Sequence, residues 1–341
     1  MSTEIVPNRG GGKLGRARPV DEDRRRAFTM ATVAFLEGCG PNTRRTYRAA
    51  VKQFFGLFPG ISPDDVTVTH AVAFKRFLQD HSKADATIYH RIAALSSLFK
   101  YYCRPQGTTD VGLITSNPFE LVQRADVKPT PYGRARPVAW DDFVKILQAI
   151  PMTPLGMRDK AILVFFAFTG RRRTEVSSLR IRDLNLKATP RTYTVRAKGN
   201  KVQTYELPDV VYDAMRAYWI ASQRLALLRP ESGVFTPTVD CPITATLDPE
   251  RPLTERTMNK ILRRWADVAG VDEVHVHGIR HMAAHDLDKG GVRLQDIQAF
   301  LGHASPQTTM VYLARLGQVG PSHEAILQKV RHDVAKVVRG V

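Results

Sequence analysis

The sequence is poor in acidic residues and in cysteine. Its 341 residues carry 33 Asp and Glu against 50 Lys and Arg, a formal charge of +17. The three cysteines, Cys39, Cys103 and Cys241, are far apart and form no C-x-x-C pair. That spacing argues against a disulfide framework and a cysteine-held metal, and suits a reducing compartment. No stretch approaches the ~20 consecutive apolar residues of a membrane span. The first residues, MSTEIVPNRGGGKLGRARPV, hold no apolar core of a signal peptide. No cluster of paired carboxylates stands out as a holder of catalytic metal ions. These absences predict a cytoplasmic protein with no membrane partner and give no sign of a metal or a cofactor.

The positive charge is broad. Residues 1–130 carry +7 and the remainder +10, so one basic tail does not account for it. Arg dominates, 35 against 15 Lys, and its planar fork pairs bidentately with phosphate. A polyanionic partner, nucleic acid first, is the leading expectation, with a basic soluble protein lacking a special ligand as the alternative. At roughly 150 residues per domain the length allows about two domains.

Periodicity divides the chain. Residues 1–20 are Gly-rich and basic and read as a disordered arm. Helical patterns follow at 24–38, at 42–58 with Asn42 or Thr43 as cap, and from Thr67 or Thr69. The clearest spans 86–102, where Ile88, Ile92, Leu95, Leu98, Phe99 and Tyr102 form one stripe. Residues 21–123 thus read as a helical bundle. Residues 124–138 carry three prolines, one glycine and several bases, a linker composition. In a second domain, 139–318, Asp141 or Asp142 caps a helix and 158–168 is an apolar helix. Residues 191–207 read as two strands joined at Gly199-Asn200. Helical patterns resume at 209–227, 254–269, 279–289 and 293–301, and again at 322–339 within a C-terminal segment, 319–341. The expected class is mainly α: a helical bundle plus an α-rich mixed domain with a small antiparallel sheet.

Four segments carry groups able to work on a phosphodiester. Thr169-Gly170-Arg171-Arg172-Arg173-Thr174-Glu175 follows the apolar helix, so a turn at Gly170 places Arg172 at the start of a new helix, with Glu175 one turn on to brace it. Lys198 sits at the hairpin tip. His277 and Arg280 are three apart in His277-Gly278-Ile279-Arg280-His281. Leu301-Gly302-His303 is followed nine residues later by Tyr312. Each alone has an ordinary structural explanation; their order and spacing together are specific.

In these segments the sequence resembles the tyrosine recombinases, or phage-type integrases, over roughly residues 25–318. The family's first-arginine motif is matched by Gly170, Arg172, Thr174, Glu175 and Val176. Its hairpin lysine is matched by Lys198 in Ala197-Lys198-Gly199-Asn200-Lys201. Its H-x-L-R-H is matched by His277, Ile279, Arg280 and His281, and its L-G-H and later tyrosine by Leu301, Gly302, His303 and Tyr312. Asn42-Thr43 with Tyr47, and Asn117-Pro118, are weaker echoes. Positions 171 and 173, usually apolar in the family, are both Arg here; the register through Gly170, Glu175 and Leu179 selects Arg172 as the catalytic one.

The resemblance implies an N-terminal SAM-like core-binding domain and a catalytic domain clamping duplex DNA, in a homotetramer on two synapsed recombination sites. It implies that Tyr312 attacks the phosphodiester, giving a 3′-phosphotyrosyl link and a 5′-hydroxyl without metal or ATP. Arg172 and Arg280 would clamp the nonbridging oxygens, Lys198 would protonate the leaving oxygen, His277 would assist proton transfer and His303 would bond the phosphate. Glu175 would support. Arg44, Arg45, Arg91, Arg134, Arg136, Arg171, Arg173 and Lys201 are expected to hold the DNA backbone. The short stretch before the bundle favours a simple recombinase over an integrase with an arm-binding domain. Segment 319–341 is a candidate for docking on a neighbouring subunit or on its own domain. Two alternatives stay open: a catalytically silent DNA-binding protein on the same scaffold, and zinc held by His277, His281 and His285, which recur every four residues without the H-E-x-x-H glutamate.

Overall fold

A computed structural model of the chain describes residues 22–105, 111–127, 137–196, 202–237 and 251–302. The chain divides into two compact units, residues 1–130 and 131–341.

Helices make up the described part of the first unit: α1 (Glu22–Glu37), α2 (Pro41–Leu57), α3 (Val68–Asp80) and α4 (Asp85–Tyr102). The cap of α2 is Gly40 rather than Asn42 or Thr43. Pro41 has φ preset for the first helical position, so the helix starts before the polar pair, and Arg44 N–H already donates to Gly40 O at 2.9 Å. Thr67 does cap α3, with its N–H donating to His70 Nδ1 at 3.2 Å. The stripe on α4 is buried at all six positions, against α1, α2 and α3. Aromatic rings fill the centre: Phe54 meets Phe74 and Phe119, each at 5.3 Å, and Phe28 meets Tyr102 at 5.1 Å. Asn117 is buried and fixes the chain entering this core. Its amide donates to Ser96 O at 2.9 Å and accepts from Phe119 N–H at 3.1 Å. Residues 125–127 form one 3-10 turn that places Val127 in the same core, with Asp126 paired to Lys75 at 2.7 Å.

The second unit is built around α6 (Pro154–Thr169), which follows α5 (Trp140–Ala149). It starts earlier than the apolar run, because Thr153 accepts from Gly156 N–H at 3.1 Å and Pro154 takes the first position. From Ala161 to Phe168 it is apolar on every face, and it is buried by α8 (Asp209–Ala221), α9 (Glu255–Ala269) and α10 (Val276–Lys289). A helix hydrophobic all round must be covered all round. One polar layer interrupts the core: Asp159 accepts from Arg158 at 2.8 Å and from Trp265 Nε1 at 2.8 Å. Trp219, also buried, donates to Val234 O at 3.1 Å.

Between α6 and α8 come the short helix α7 (Arg173–Ser177) and the strands β1 (Leu184–Asn185), β2 (Thr192–Arg196) and β3 (Val202–Glu206), antiparallel in the order β1-β2-β3. The pairing Tyr193↔Tyr205 sets the register. Tyr193 and Val195 face the core while their neighbours face outward, the period-2 alternation of a half-buried sheet. After α10 comes α11 (Leu294–Leu301).

Some boundaries differ from the sequence reading. Asp141 and Asp142 lie in the first turn of α5, whose cap is Ala139; Phe143 N–H bonds Ala139 O at 2.9 Å, so the first turn closes before either aspartate can cap it. The pattern at 209–227 is broken at Gln223, in the left-handed region at φ +57, and only a 3-10 turn follows at Leu225–Leu227. α10 begins three residues before 279 because His275 caps it, accepting from Gly278 N–H at 2.7 Å. The hairpin tip and the pattern at 322–339 lie outside the described residues. Among the described residues no helix is long and apolar enough to cross a membrane.

Candidate active site

The site is assembled where four helix ends meet: the C-terminus of α6, the first turns of α7 and α10, and the C-terminus of α11. α6 ends at Gly170 in the left-handed conformation, which turns the chain sharply into α7. Arg172 is the cap of α7. Its backbone N–H donates to Glu175 Oε2 at 2.8 Å and its guanidinium to Glu175 Oε1 at 2.9 Å. One carboxylate therefore fixes both ends of Arg172. Glu175 is buried at 4 % exposure, whereas the Arg172 side chain is 39 % exposed, so the supported cation still faces solvent.

Arg280 comes from the first turns of α10 and is 1 % exposed. Its guanidinium donates to Gly170 O and, at 2.7 Å, to Leu301 O. Arg172 reaches the next carbonyl, Gly302 O, at 3.4 Å. The two arginines thus bind the end of α11 immediately before His303. The resemblance implies that Arg280 clamps a phosphate; in the structure it is enclosed, with its guanidinium held by two backbone carbonyls.

His277 lies one turn before Arg280. The residue is exposed, although part of its ring is packed edge-on against His281 at 4.5 Å. Its pKa is pushed down from 6.5 to about 4, by loss of water around the ring and by the positive charges of Arg280, His275, Arg172 and Arg173. The exposed surface weakens the first cause, but the surrounding cations give the direction by themselves. His281 is buried, and His285 lies 3.9 Å from Asp286. No group of three or more His, Cys, Asp or Glu side chains placed to hold a metal occurs among the described residues.

The flanking arginines separate. Arg173 is half-buried and pairs with Glu255 of α9 at 3.4 Å. Arg171, expected on a phosphate, is 2 % exposed. Its guanidinium carbon lies 3.8 Å over the Tyr205 ring and its Nε donates to Thr169 O at 2.9 Å. That stacking draws it into the protein, where a backbone phosphate does not reach it. In the first unit, Arg44 donates to Leu36 O and Glu37 O, each at 2.8 Å, and so caps the end of α1 rather than presenting its fork outward. Arg45 is exposed, bonded only within its own helix to Asn42 at 3.2 Å among the bonds described, and Arg91 is half-buried. Lys198, Lys201, His303, Tyr312, Arg134 and Arg136 lie outside the described residues.

Sequence reasoning missed the residues that join these parts: the carbonyls of Gly170, Leu301 and Gly302, and the β3 pair Gln203 and Tyr205. A two-residue turn at Gly199-Asn200 sets Tyr193 opposite Glu206, so the observed match of Tyr193 to Tyr205 is one residue away from what the sequence reading gives. Chemically, guanidinium groups and a neutral imidazole converge with one buried carboxylate, an arrangement suited to a phosphodiester and to the negative charge that grows on it during substitution.

The profile described as the Phage integrase family matches residues 138–318. Tyrosine recombinase XerC of Thermodesulfovibrio yellowstonii is 28 % identical over 287 residues, covering 82 % of this chain and 88 % of that protein. XerC of Herpetosiphon aurantiacus is 29 % identical over 291 residues, covering 83 % and 88 %. Among solved structures, a lambda integrase dimer bound to a COC′ core site superposes with a TM-score of 0.63 at 18 % identity, covering 88 % of this chain and 98 % of that one. XerH recombinase bound to a palindromic difH substrate gives 0.61 at 20 % identity, covering 86 % and 80 %.

Proposed function

Since the chain belongs to the phage integrase family, the tyrosine recombinases, we propose that it cuts and rejoins double-stranded DNA at specific recombination sites through a covalent enzyme–DNA intermediate. The observation that carries this reading is the convergence of Arg172 and Arg280 on the turn at Leu301-Gly302, with Glu175 buried behind Arg172 and His277 one turn before Arg280 on the same helix. The turn leads directly to His303 and, nine residues later, to Tyr312.

Tyr312 is the nucleophile. Its oxygen bonds to phosphorus as the phosphorus–O5′ bond breaks; the phenol loses a proton and the departing O5′ gains one. Lys198 supplies that proton. His277, held neutral, is able to accept one at the tyrosine side. Arg172 meets the nonbridging oxygens from its exposed position. Arg280 adds its charge from its place against the Leu301 carbonyl. His303 bonds the phosphate, and Glu175 positions Arg172. Rejoining reverses the step with a 5′-hydroxyl from another strand, so the ester conserves the bond energy and neither ATP nor metal is consumed. Arg45, Arg91, Arg134, Arg136, Arg173 and Lys201 hold the duplex. The working assembly is a tetramer on two sites; a lambda integrase structure shows a tetramer on a Holliday junction. Residues 319–341 are the candidate subunit contact, and the chain acts in the cytoplasm on the nucleoid.

A duplex nicked close to the cleavage point releases its short 5′-hydroxyl strand and traps the covalent form. The wild-type chain is expected to give a protein–DNA adduct in EDTA, and Tyr312→Phe none. An adduct from the Phe variant at the wild-type level overturns the nucleophile. Loss of activity in EDTA with recovery in Mg²⁺ overturns the metal-free route.

A further inference from the structure

Arg171 is an expensive residue in its place. It is 2 % exposed, and the neighbouring carboxylate, Glu175, is taken by Arg172. Its Nη2 finds no hydrogen-bond partner among the described residues. Burying a guanidinium with a nitrogen unmatched costs free energy that an apolar side chain would not. Its position explains what is obtained in return. The guanidinium lies flat over Tyr205 at 3.8 Å, with Phe300 at 5.8 Å and Thr169 O bonded at 2.9 Å. Tyr205 stacks in turn on Tyr193 at 5.7 Å, and its hydroxyl donates to Gln203 at 2.8 Å. The same surface meets the end of α11: a Cβ built on Gly302 would lie 2.8 Å from the Tyr205 hydroxyl, 3.1 Å from Gln203 Oε1 and 3.7 Å from Arg171 Nη1.

Arg171 therefore sits at the junction of three pieces of backbone: the end of α6, strand β3 and the turn at Gly302. The strands β2 and β3 bracket Lys198 in the sequence, and the turn at Gly302 leads to His303. We propose that Arg171 is a positioning residue for strand cleavage, which fixes the hairpin bearing the proton donor against the turn bearing the phosphate ligand. The proposal rests on the reading of Lys198 as the acid. Its physical basis is the short reach of proton transfer: a donor works within hydrogen-bond distance, and a misplacement of about 1 Å costs about 100-fold.

Sulfur in place of the bridging 5′ oxygen tests it. On the ordinary substrate the phosphorus–oxygen bond breaks and O5′ must be protonated. On the sulfur substrate the phosphorus–sulfur bond breaks and a thiolate leaves without a proton. Single-turnover cleavage of both by wild type, Arg171→Leu, Arg171→Lys, Tyr205→Leu and Lys198→Ala separates the possibilities, with DNA affinity and melting temperature measured on each. Arg171→Leu is expected to lose about 100-fold on the ordinary substrate and to return close to the wild-type rate on the sulfur one, with affinity unchanged. Arg171→Lys, which keeps the cation over the ring, recovers part of the ordinary rate. Tyr205→Leu, which removes the ring but leaves the Arg172 turn intact, repeats the Arg171→Leu pattern and serves if that variant folds poorly. Equal loss on both substrates, or no loss on either, overturns the positioning role. If Lys198→Ala is not rescued by sulfur, the acid assignment fails, and the proposal fails with it. If Lys198→Ala is rescued while both Arg171→Leu and Tyr205→Leu are not, only the proposal fails.

Discussion

Arg172 and Arg280 donate to the carbonyls of consecutive residues, Gly302 at 3.4 Å and Leu301 at 2.7 Å. The turn they share is the point at which the two cations proposed for the phosphate meet. Its backbone must be left-handed, at φ +61, and it leaves no room for a side chain beside Tyr205.

Gly302→Ala is thus expected to lose about 1–2 kcal/mol from the left-handed backbone alone, with the contact to Tyr205 adding to it. Gly270, at φ +68 with open space around it, is the control and bears the backbone cost only. Urea denaturation of both variants checks the difference, and adduct formation should fall at least about tenfold for Gly302→Ala and not for Gly270→Ala. Equal behaviour of the two would remove the turn from the site.

Glu175 serves one cation at two atoms. Glu175→Ala leaves the Arg172 N–H without its acceptor and is expected to cost about 1–3 kcal/mol in stability. Glu175→Gln keeps an acceptor for that N–H but loses the charge that orients the guanidinium. Its stability should change less than its cleavage rate. Chemical denaturation paired with single-turnover cleavage tells these apart; a Gln variant as fast as wild type would show that the charge does not orient Arg172.

The His277 ring binds its proton at about 4 in the folded chain, against 6.5 for an ordinary histidine. Between those values the unfolded chain holds a proton that the folded chain lacks. Stability due to this ring therefore rises with pH from about 4 to 6.5 and is level above. His277→Gln should flatten that part of the profile, seen as a smaller drop in the denaturation midpoint on acidification through the same window. Parallel profiles would show that the ring is not held neutral.

Arg44 and Arg45 are adjacent in the sequence and differ in what they bind. Arg44→Ala removes bonds to the last carbonyls of α1 and is expected to cost about 1–2 kcal/mol of stability while leaving the salt dependence of DNA binding unchanged. Arg45→Ala should leave stability alone and lower the slope of log affinity against log salt by about 1. Titrations at several salt concentrations decide between them, and a slope change with Arg44→Ala would assign that residue to the DNA after all.

The contrast between these neighbours shows where sequence reasoning reaches. The stripe on α4 was legible because helical periodicity states directly which side of a long helix is covered. The Arg172–Glu175 pair was legible because three residues make one turn. Capping was harder: Gly40 and Ala139 start helices just before the polar residues Asn42, Thr43, Asp141 and Asp142, since Pro41 and backbone bonding alone close the first turns. The fate of Arg171 was out of reach. An arginine beside one matched to a family's catalytic motif reads as a second phosphate ligand, and only the sheet register that brings Tyr205 to it reveals otherwise. β1, two residues long, carries no pattern at all.

All three tryptophans of the chain, Trp140, Trp219 and Trp265, belong to the second unit, while the core of the first is made of phenylalanine, tyrosine and aliphatic residues. Light absorbed only by indole therefore reports on one unit of the intact chain and is blind to the other. Far-ultraviolet circular dichroism sees both. Melting curves followed by the two signals would coincide if the units unfold together and part if they do not, giving each its own midpoint without cutting the polypeptide.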